Sequence, residues 1–362
     1  MKILYAIQGT GNGHLSRARD IIPILQQKGE LDILVSGIQA DVDLPYPVKY
    51  KFKGLSFIFG KKGGIDLIAT YKKSNLKQLY KEIKSLPIED YDLVINDFEP
   101  VSAWACKMKK KACIGLSHQA AVINKYSPKP KKKDPVGKAV LHNYAPVTAS
   151  YGFHFVSCDE NIFTPVIRAQ VRNTKAVIKS HYTVYLPAYG DERIIKLLST
   201  LPAIKWEVFS KHAKRAYSEK NVAIQPISNE AFIESMINCT GILCGAGFET
   251  PAEALFLKKK LMVIPMKGQY EQQCNAAALK KLGVPVIKSL KKKHLPAIQS
   301  WVESAQSIPV NFPDNTPDII AMIIKKYGTI SAKNTLELGK GIHSLRKLKE
   351  KSLGTILTQL AE

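Results

Sequence analysis

The chain is short of long apolar stretches, paired cysteines and acidic residues. No apolar run in its 362 residues approaches the ~20 needed to span a bilayer, so no transmembrane helix is expected. The opening run Lys2-Ile3-Leu4-Tyr5-Ala6-Ile7-Gln8 is too short for a signal h-region and enters a glycine turn without a cleavage site. Six cysteines stand at 106, 113, 158, 239, 244 and 274 with no CxxC pair. That pattern argues against a disulfide framework or zinc site and suits reduced thiols in a cytoplasm. Thirty Asp plus Glu face fifty-three Lys plus Arg, a formal net charge of +23. Such a surface attracts nucleic acid or anionic lipid. Arginine, the better bidentate reader of phosphates and bases, is scarce beside lysine. No basic–aromatic array of the single-strand-binding type is found. The runs Lys107–Lys111, Lys129–Lys133, Lys258–Lys260 and Lys291–Lys293 therefore favour a membrane surface over nucleic acid.

What is present is a doubled α/β pattern. The length exceeds one ordinary domain, and 45% apolar residues supply real cores. Strands are expected at Lys2–Gln8, Leu31–Ser36, Val48–Phe52, Leu55–Phe59, Leu93–Asn96, Ala112–Leu116 and Phe153–Val156. Leu15–Gln27 reads as a helix, kinked where Pro23 interrupts it. Further helices are expected at Lys72–Ser85 and about Val101–Lys110. The alternation restarts with strands at Thr183–Leu186, Trp206–Phe209, Val222–Ile224, Ile242–Cys244, Met262–Ile264 and Val286–Ile287. This is the pattern of parallel sheets with crossover helices. It divides the chain into a first domain over 1–170, a second over 171–328 and a basic helical tail over 329–362.

The most informative stretch runs from Gly241. The strand Gly241-Ile242-Leu243-Cys244 feeds the turn Gly245-Ala246-Gly247-Phe248-Glu249-Thr250, and Pro251 falls in the first turn of the helix that follows. Free N–H groups at that helix start suit an anion such as a diphosphate. Glu253 lies within reach of sugar hydroxyls. After Leu261–Pro265 the polar cluster Gln269, Gln272 and Gln273 returns to the same sheet edge, where ligands of open α/β sheets bind. A phosphate cradle, a carboxylate and several amides together suit a nucleotide sugar. At the other end of the chain, Gln8-Gly9-Thr10-Gly11-Asn12-Gly13-His14 is a turn whose glycines let the backbone approach a ligand. It fails the dinucleotide fingerprint, since His14 stands where the third glycine is needed.

Glu253, Pro265, Gln272, Gln273 and Asn275, with spacings of twelve from Glu to Pro and nineteen from Glu to the first Gln, resemble the donor signature of GT-B glycosyltransferases. The similarity is greatest to the enzymes that add N-acetylglucosamine to the peptidoglycan lipid intermediate. The phrase GAGFETPAEAL…GQYEQQCNAAAL is closer still to a branch of uncertain acceptor. The resemblance implies a GT-B fold, two doubly wound Rossmann-like parallel-sheet domains facing across a cleft. It implies an inverting glycosyltransferase using a nucleotide sugar, with a UDP-sugar expected, and no metal or other cofactor. The loop Gly11-Asn12-Gly13-His14 then faces the donor from the acceptor domain. His14 takes the acceptor proton or polarises the donor phosphate, or simply caps its helix. Asp97 orients His14, acts as the base itself, or caps a helix. His118 and Gln119 mark the acceptor side. In the second domain Tyr189, Lys211 and Ile227 are candidate donor contacts, although the family's Gly-Gly-Ser loop is replaced here by Ala188-Tyr189-Gly190. Asp41-Val42-Asp43 has the spelling of a metal motif but falls in an apparent loop. The expected partners are a UDP-sugar, a lipid-linked or glycan acceptor and an anionic leaflet, at the inner face of the cell membrane. Two alternatives remain: a UDP-sugar 2-epimerase sharing this donor site, and a basic nucleic-acid-binding protein.

Overall fold

The computed structural model describes residues 1–37, 44–55, 59–60, 64–65, 76–132, 134–175, 177, 179–305 and 307–328. Among the described residues nine strands belong to the first half: β1 Lys2–Gln8, β2 Glu30–Ser36, β3 Tyr50–Phe52, β4 Phe59–Gly60, β5 Gly64–Ile65, β6 Leu93–Asp97, β7 Ile114–Leu116, β8 Ala149–Phe153 and β9 Ile162–Phe163. Seven of them form a parallel sheet in the order β3-β2-β1-β6-β7-β8-β9, and β4 and β5 pair antiparallel on their own. Six follow among the described residues of the second half: β10 Tyr182–Tyr185, β11 Trp206–Ser210, β12 Tyr217–Glu219, β13 Val222–Pro226, β14 Gly241–Gly245 and β15 Lys260–Ile264. Their order is β12-β13-β11-β10-β14-β15, parallel except for the edge strand β12. The fold is two Rossmann-like parallel-sheet domains in the GT-B arrangement.

The topology places the loops that matter. In the first sheet strand order reverses between β1 and β6, and in the second between β10 and β14. Crevices open at such switch points, beyond the carboxyl ends of the strands. The loops leaving β1 and β6 therefore flank one crevice, and those leaving β10 and β14 flank the other. β1 can hold this central place because Ile3 through Ile7 are wholly buried, as a strand covered on both faces must be.

Helix Asn12–Gln26 runs unbroken through Pro23. Proline cannot donate to the carbonyl four residues back, that of Arg19. The Tyr46 hydroxyl donates to that carbonyl instead, at 3.4 Å. The helix Thr316–Tyr327 returns to pack on Asn12–Gln26, and the Tyr327 and Tyr151 hydroxyls lie 3.1 Å apart.

Several local expectations shift. The strand expected at Phe153–Val156 lies at Ala149–Phe153, and β9 at Ile162–Phe163, outside the expectation, follows it. Ala149, Ser150 and Gly152 have poor strand propensity, but pairing with Ile114–Leu116 imposes it. Val286 contributes one bridge to Val263, not a strand. Helices at His118–Ile123 and Pro135–Asn143 and the edge strand β12 add to the expected elements. Residues 56–58 of the expected strand Leu55–Phe59, residues 72–75 of the expected helix and the 329–362 tail lie outside the described residues.

Candidate active site

The loop after β1 is shaped by its glycines. A Cβ on Gly9 would stand 2.9 Å from Val35 Cγ1, and Gly11 caps the helix with φ +93°. A Cβ on Gly13 would collide with the Glu249 carboxylate, which comes from the other domain. This close approach puts His14, in the first helical turn, at the cleft.

His14 Nδ1 lies 2.8 Å from Asp97 Oδ1. Arg17, one turn further on the same helix face, donates from Nη2 to both Asp97 oxygens at 2.7 and 2.8 Å. Its Nη1 donates to Glu249 Oε1 across the cleft. Burial alone would push the Asp97 carboxyl up, but the Arg17 and His14 charges and their hydrogen bonds hold it below the usual carboxylate range. Burial pulls His14 down, and the adjacent Asp97 overrides it, so its pKa stands above the ordinary histidine value. An ionised Asp97 accepts, so in the neutral ring Nδ1 carries the proton and Nε2 has the lone pair a base needs. Asp97 is not a helix cap: Glu99 does that, accepting from Val101 and Ser102 N–H at 2.6 Å each. Phe98 between them sits at φ +57°, with its ring stacked near His14 at 6.5 Å.

Facing this group is the helix Glu249–Phe256, which follows β14. No side-chain cap closes its start among the described residues, so first-turn N–H groups and the positive dipole end remain for an anion. A cleft of about 790 Å³ separates the two domains. Gly11, Asn12, Gly13, His14, His118, Gln119, Lys211, Ile227, Gly247, Phe248, Glu249, Thr250, Gln269 and Gln272 line it, as do Arg17, Arg168 and Glu271. Its volume suits a small ligand.

Other candidates stand elsewhere. Glu253 is 1% exposed and does not line the cleft. Arg168, from the interdomain connection, holds both its oxygens, from Nε and Nη2 at 2.6 Å each. Gln272 Oε1 accepts from Met266 N–H and Gln273 Nε2 donates to the Met266 carbonyl, each at 2.9 Å, so both shape the turn after β15. Only Gln272 also reaches the cleft. Gly245 and Tyr189 line a smaller neighbouring pocket of about 80 Å³, where the Tyr189 hydroxyl accepts from Leu290 N–H at 3.2 Å. Ala246 is buried and its carbonyl accepts from Asn275 Nδ2 at 3.2 Å.

His118 joins the domains. Its ring stacks on Phe248 at 3.8 Å. Burial pushes it down to about 3, outweighing the hydrogen bonds that favour the charged form. Nδ1 lies 2.8 Å from the Phe153 carbonyl oxygen and Nε2 2.8 Å from Asn275 Oδ1, and the neutral ring donates to one of the two. Gln119 Nε2 lies 3.4 Å from His14 Nε2 and donates to Glu271 Oε2 at 3.0 Å. Burial raises the Glu271 carboxyl, against the pull of that hydrogen bond.

In the lysine-rich loop, Lys129 is exposed but its ammonium is engaged, donating to the Val122 and Asn124 carbonyls, the latter at 2.8 Å. Lys131 and Lys132 are exposed, while Lys133 and the Asp41–Asp43 motif lie outside the described residues. No group of three or more His, Cys, Asp or Glu side chains able to hold a metal occurs among the described residues. None of their helices is long and apolar enough to cross a membrane.

A family profile described as glycosyl transferase family 1 matches residues 1–304. No curated protein matches significantly. Among solved structures, Arabidopsis thaliana UGT89C1 complexed with UDP aligns at TM-score 0.57 and 14% identity, over 93% of this chain and 98% of that one. MurG of Acinetobacter baumannii aligns at TM-score 0.51 and 13% identity, over 90% and 99%. The glycosyltransferase of kitacinnamycin aligns at 0.51 and 13%, over 96% and 95%. At these identities the likeness is one of fold, and MurG is not singled out from the others.

Proposed function

This chain belongs to glycosyl transferase family 1, and we propose that it moves a sugar from a UDP-sugar to an acceptor hydroxyl with inversion at the anomeric carbon. That it is a GT-B glycosyltransferase using a nucleotide-sugar donor follows from family and fold together. The observation carrying the finer reading is His14, backed by Asp97 at 2.8 Å and facing the cleft opposite an uncapped helix start.

In this mechanism His14 Nε2 takes the acceptor proton as the hydroxyl oxygen attacks. Asp97 holds the ring and stabilises the imidazolium, while Arg17 keeps Asp97 ionised. The bond from the anomeric carbon to the diphosphate breaks with its electron pair on the leaving group. The first turn of Glu249–Phe256 receives that charge. Glu249, already paired with Arg17, ties this helix to the catalytic loop. UDP as the nucleotide is supported by the resemblance of the donor motif and by the UDP complex of the Arabidopsis protein. We place the enzyme at the cytoplasmic membrane face, on the strength of its +23 charge and the exposed Lys131 and Lys132 beside the acceptor side.

A thermal-shift screen of nucleotide sugars, followed by a UDP-release assay with His14→Ala, tests the reading. The variant should bind UDP almost as the wild type does and lose ~10²–10⁴ in turnover. Unchanged turnover in His14→Ala removes His14 as the base.

A further inference from the structure

Among the described residues two arginines line the cleft, Arg17 and Arg168, and each holds a carboxylate of the helix Glu249–Phe256. Only one of these pairs is placed to change partners. Arg168 grips both oxygens of Glu253, which is 1% exposed and stands off the cleft. The Glu249 side chain is 22% exposed and lines the cleft, while the Arg17 side chain that it covers is 2% exposed. Arg17 Nη2 donates to both Asp97 oxygens, and Nη1 donates to Glu249 Oε1. One edge of the guanidinium is thus fixed within the first domain. The other points at the second domain, with a movable carboxylate over it.

Glu249 is a costly residue for a site that receives a diphosphate. It is the acidic residue in the first turn of its helix, where a carboxylate offsets the positive dipole end that an anion would use. Two anions brought to one helix start repel. The carboxylate is seated against the catalytic loop: a Cβ on Gly13 would stand 2.8 Å from Glu249 Cδ. The space before the helix is open by contrast, since a Cβ on Gly247 would meet nothing within 4 Å. Carboxylate and phosphate oxygens are bound by a guanidinium in the same way. A phosphate at this helix start and the Glu249 carboxylate therefore compete for one donor, Arg17 Nη1.

Resting on the donor reading above, we propose that Arg17 binds the diphosphate, and that Glu249 and the β-phosphate are alternative partners of its Nη1. When the donor enters, the β-phosphate takes Nη1 and the Glu249 carboxylate swings off Gly13 into the open cleft. Nη2 stays on Asp97, so the base keeps its support. The tie between the catalytic loop and the donor helix then runs through the diphosphate. As the acceptor oxygen bonds the anomeric carbon and its proton passes to His14, the bond to the β-phosphate oxygen breaks. The electron pair stays on that phosphate, held by Arg17 and the first-turn N–H groups. Glu249 recovers Nη1 as UDP leaves.

Calorimetric titration of the full chain with UDP, UMP and uridine tests the exchange. Glu249→Gln removes the competitor. The free variant should melt lower than the wild type, because an interdomain ion pair is lost, and yet bind UDP about tenfold more tightly. UMP and uridine, which lack the β-phosphate, should change by less than about twofold. Should glutamine not fold there, Glu249→Ala is read the same way. Arg17→Lys keeps a cation beside Asp97 but loses the fork that reaches two anions. It should weaken UDP about tenfold and leave uridine within about twofold. Unchanged or weaker UDP binding without the Glu249 carboxylate, a gain shared equally by UMP, or undiminished UDP affinity in Arg17→Lys overturns the exchange. If UDP binds none of the proteins, wild type included, the donor reading itself fails; if it binds the wild type and the variants do not differ, only the exchange does.

Discussion

Replacing Asp97 by asparagine separates its charge from its shape. The carboxylate is wholly buried and receives three hydrogen bonds, one from His14 and two from Arg17. Asparagine keeps one acceptor oxygen and turns an amide nitrogen toward the remaining donors. Removing one member of a buried ion pair costs about 3–5 kcal/mol. At about 2–4 °C per kcal/mol for a domain of this size, melting should fall by roughly 6–20 °C. Catalysis responds differently. His14 stands above its ordinary pKa because Asp97 overcomes the effect of burial. With the charge gone, burial and Arg17 both act downward, so the acid limb of kcat/KM should move to lower pH. The plateau should fall ~10²–10⁴ as the imidazolium loses its partner. The assay is UDP release across pH at a temperature where both proteins are folded. A limb that stays in place while melting falls shows that Asp97 only supports the fold. The pair also predicts stability: His14, raised in the fold, stabilises below its unfolded pKa and loses this as pH rises through the folded value. Asp97, depressed, stabilises above its unfolded pKa and loses this as pH falls through the folded one.

Glu253→Gln should cost about 3–5 kcal/mol in stability by breaking the pair with Arg168, while calorimetry finds UDP affinity changed by less than about threefold, under ~0.7 kcal/mol. A hundredfold loss of affinity with unchanged melting would return Glu253 to the ribose. Lys131→Gln with Lys132→Gln should lower sedimentation with anionic vesicles by about 2 kcal/mol, roughly thirtyfold, and leave neutral vesicles unaffected; equal binding removes the loop from any membrane role. Lys129 is spared because its ammonium closes two backbone carbonyls.

Much of the fold was legible because its signals are local. A strand buried on both faces needs a continuous apolar run, and Ile3–Ile7 is one. A strand-to-helix turn that must bring its backbone close to another chain segment needs glycine, and Gly9, Gly11 and Gly13 mark that turn. What failed were elements whose reason lies far along the chain. Ala149–Phe153 is a strand because Ile114–Leu116 needs a neighbour, and its small residues carry no such message. Pro23 reads as a kink because the sequence does not show Tyr46 beside the carbonyl that proline leaves unpaired.

The site divides the same way. Asp97 ends one recognisable strand and His14 opens the helix that follows another, so the sheet edge brings both to one crevice. Arg17 does not announce itself: on an amphipathic helix it reads as solvated surface. Its partners are 80 and 232 residues away, and only their convergence makes a buried guanidinium affordable. The same holds for Glu253, read as a ribose acceptor because the motif assigns it that place. The connection between the domains instead delivers Arg168 to both of its oxygens. A motif specifies where a carboxylate stands on its helix. Which cation reaches it is decided by how two domains close, and here two buried arginines, Arg17 and Arg168, each bind a carboxylate on the donor helix.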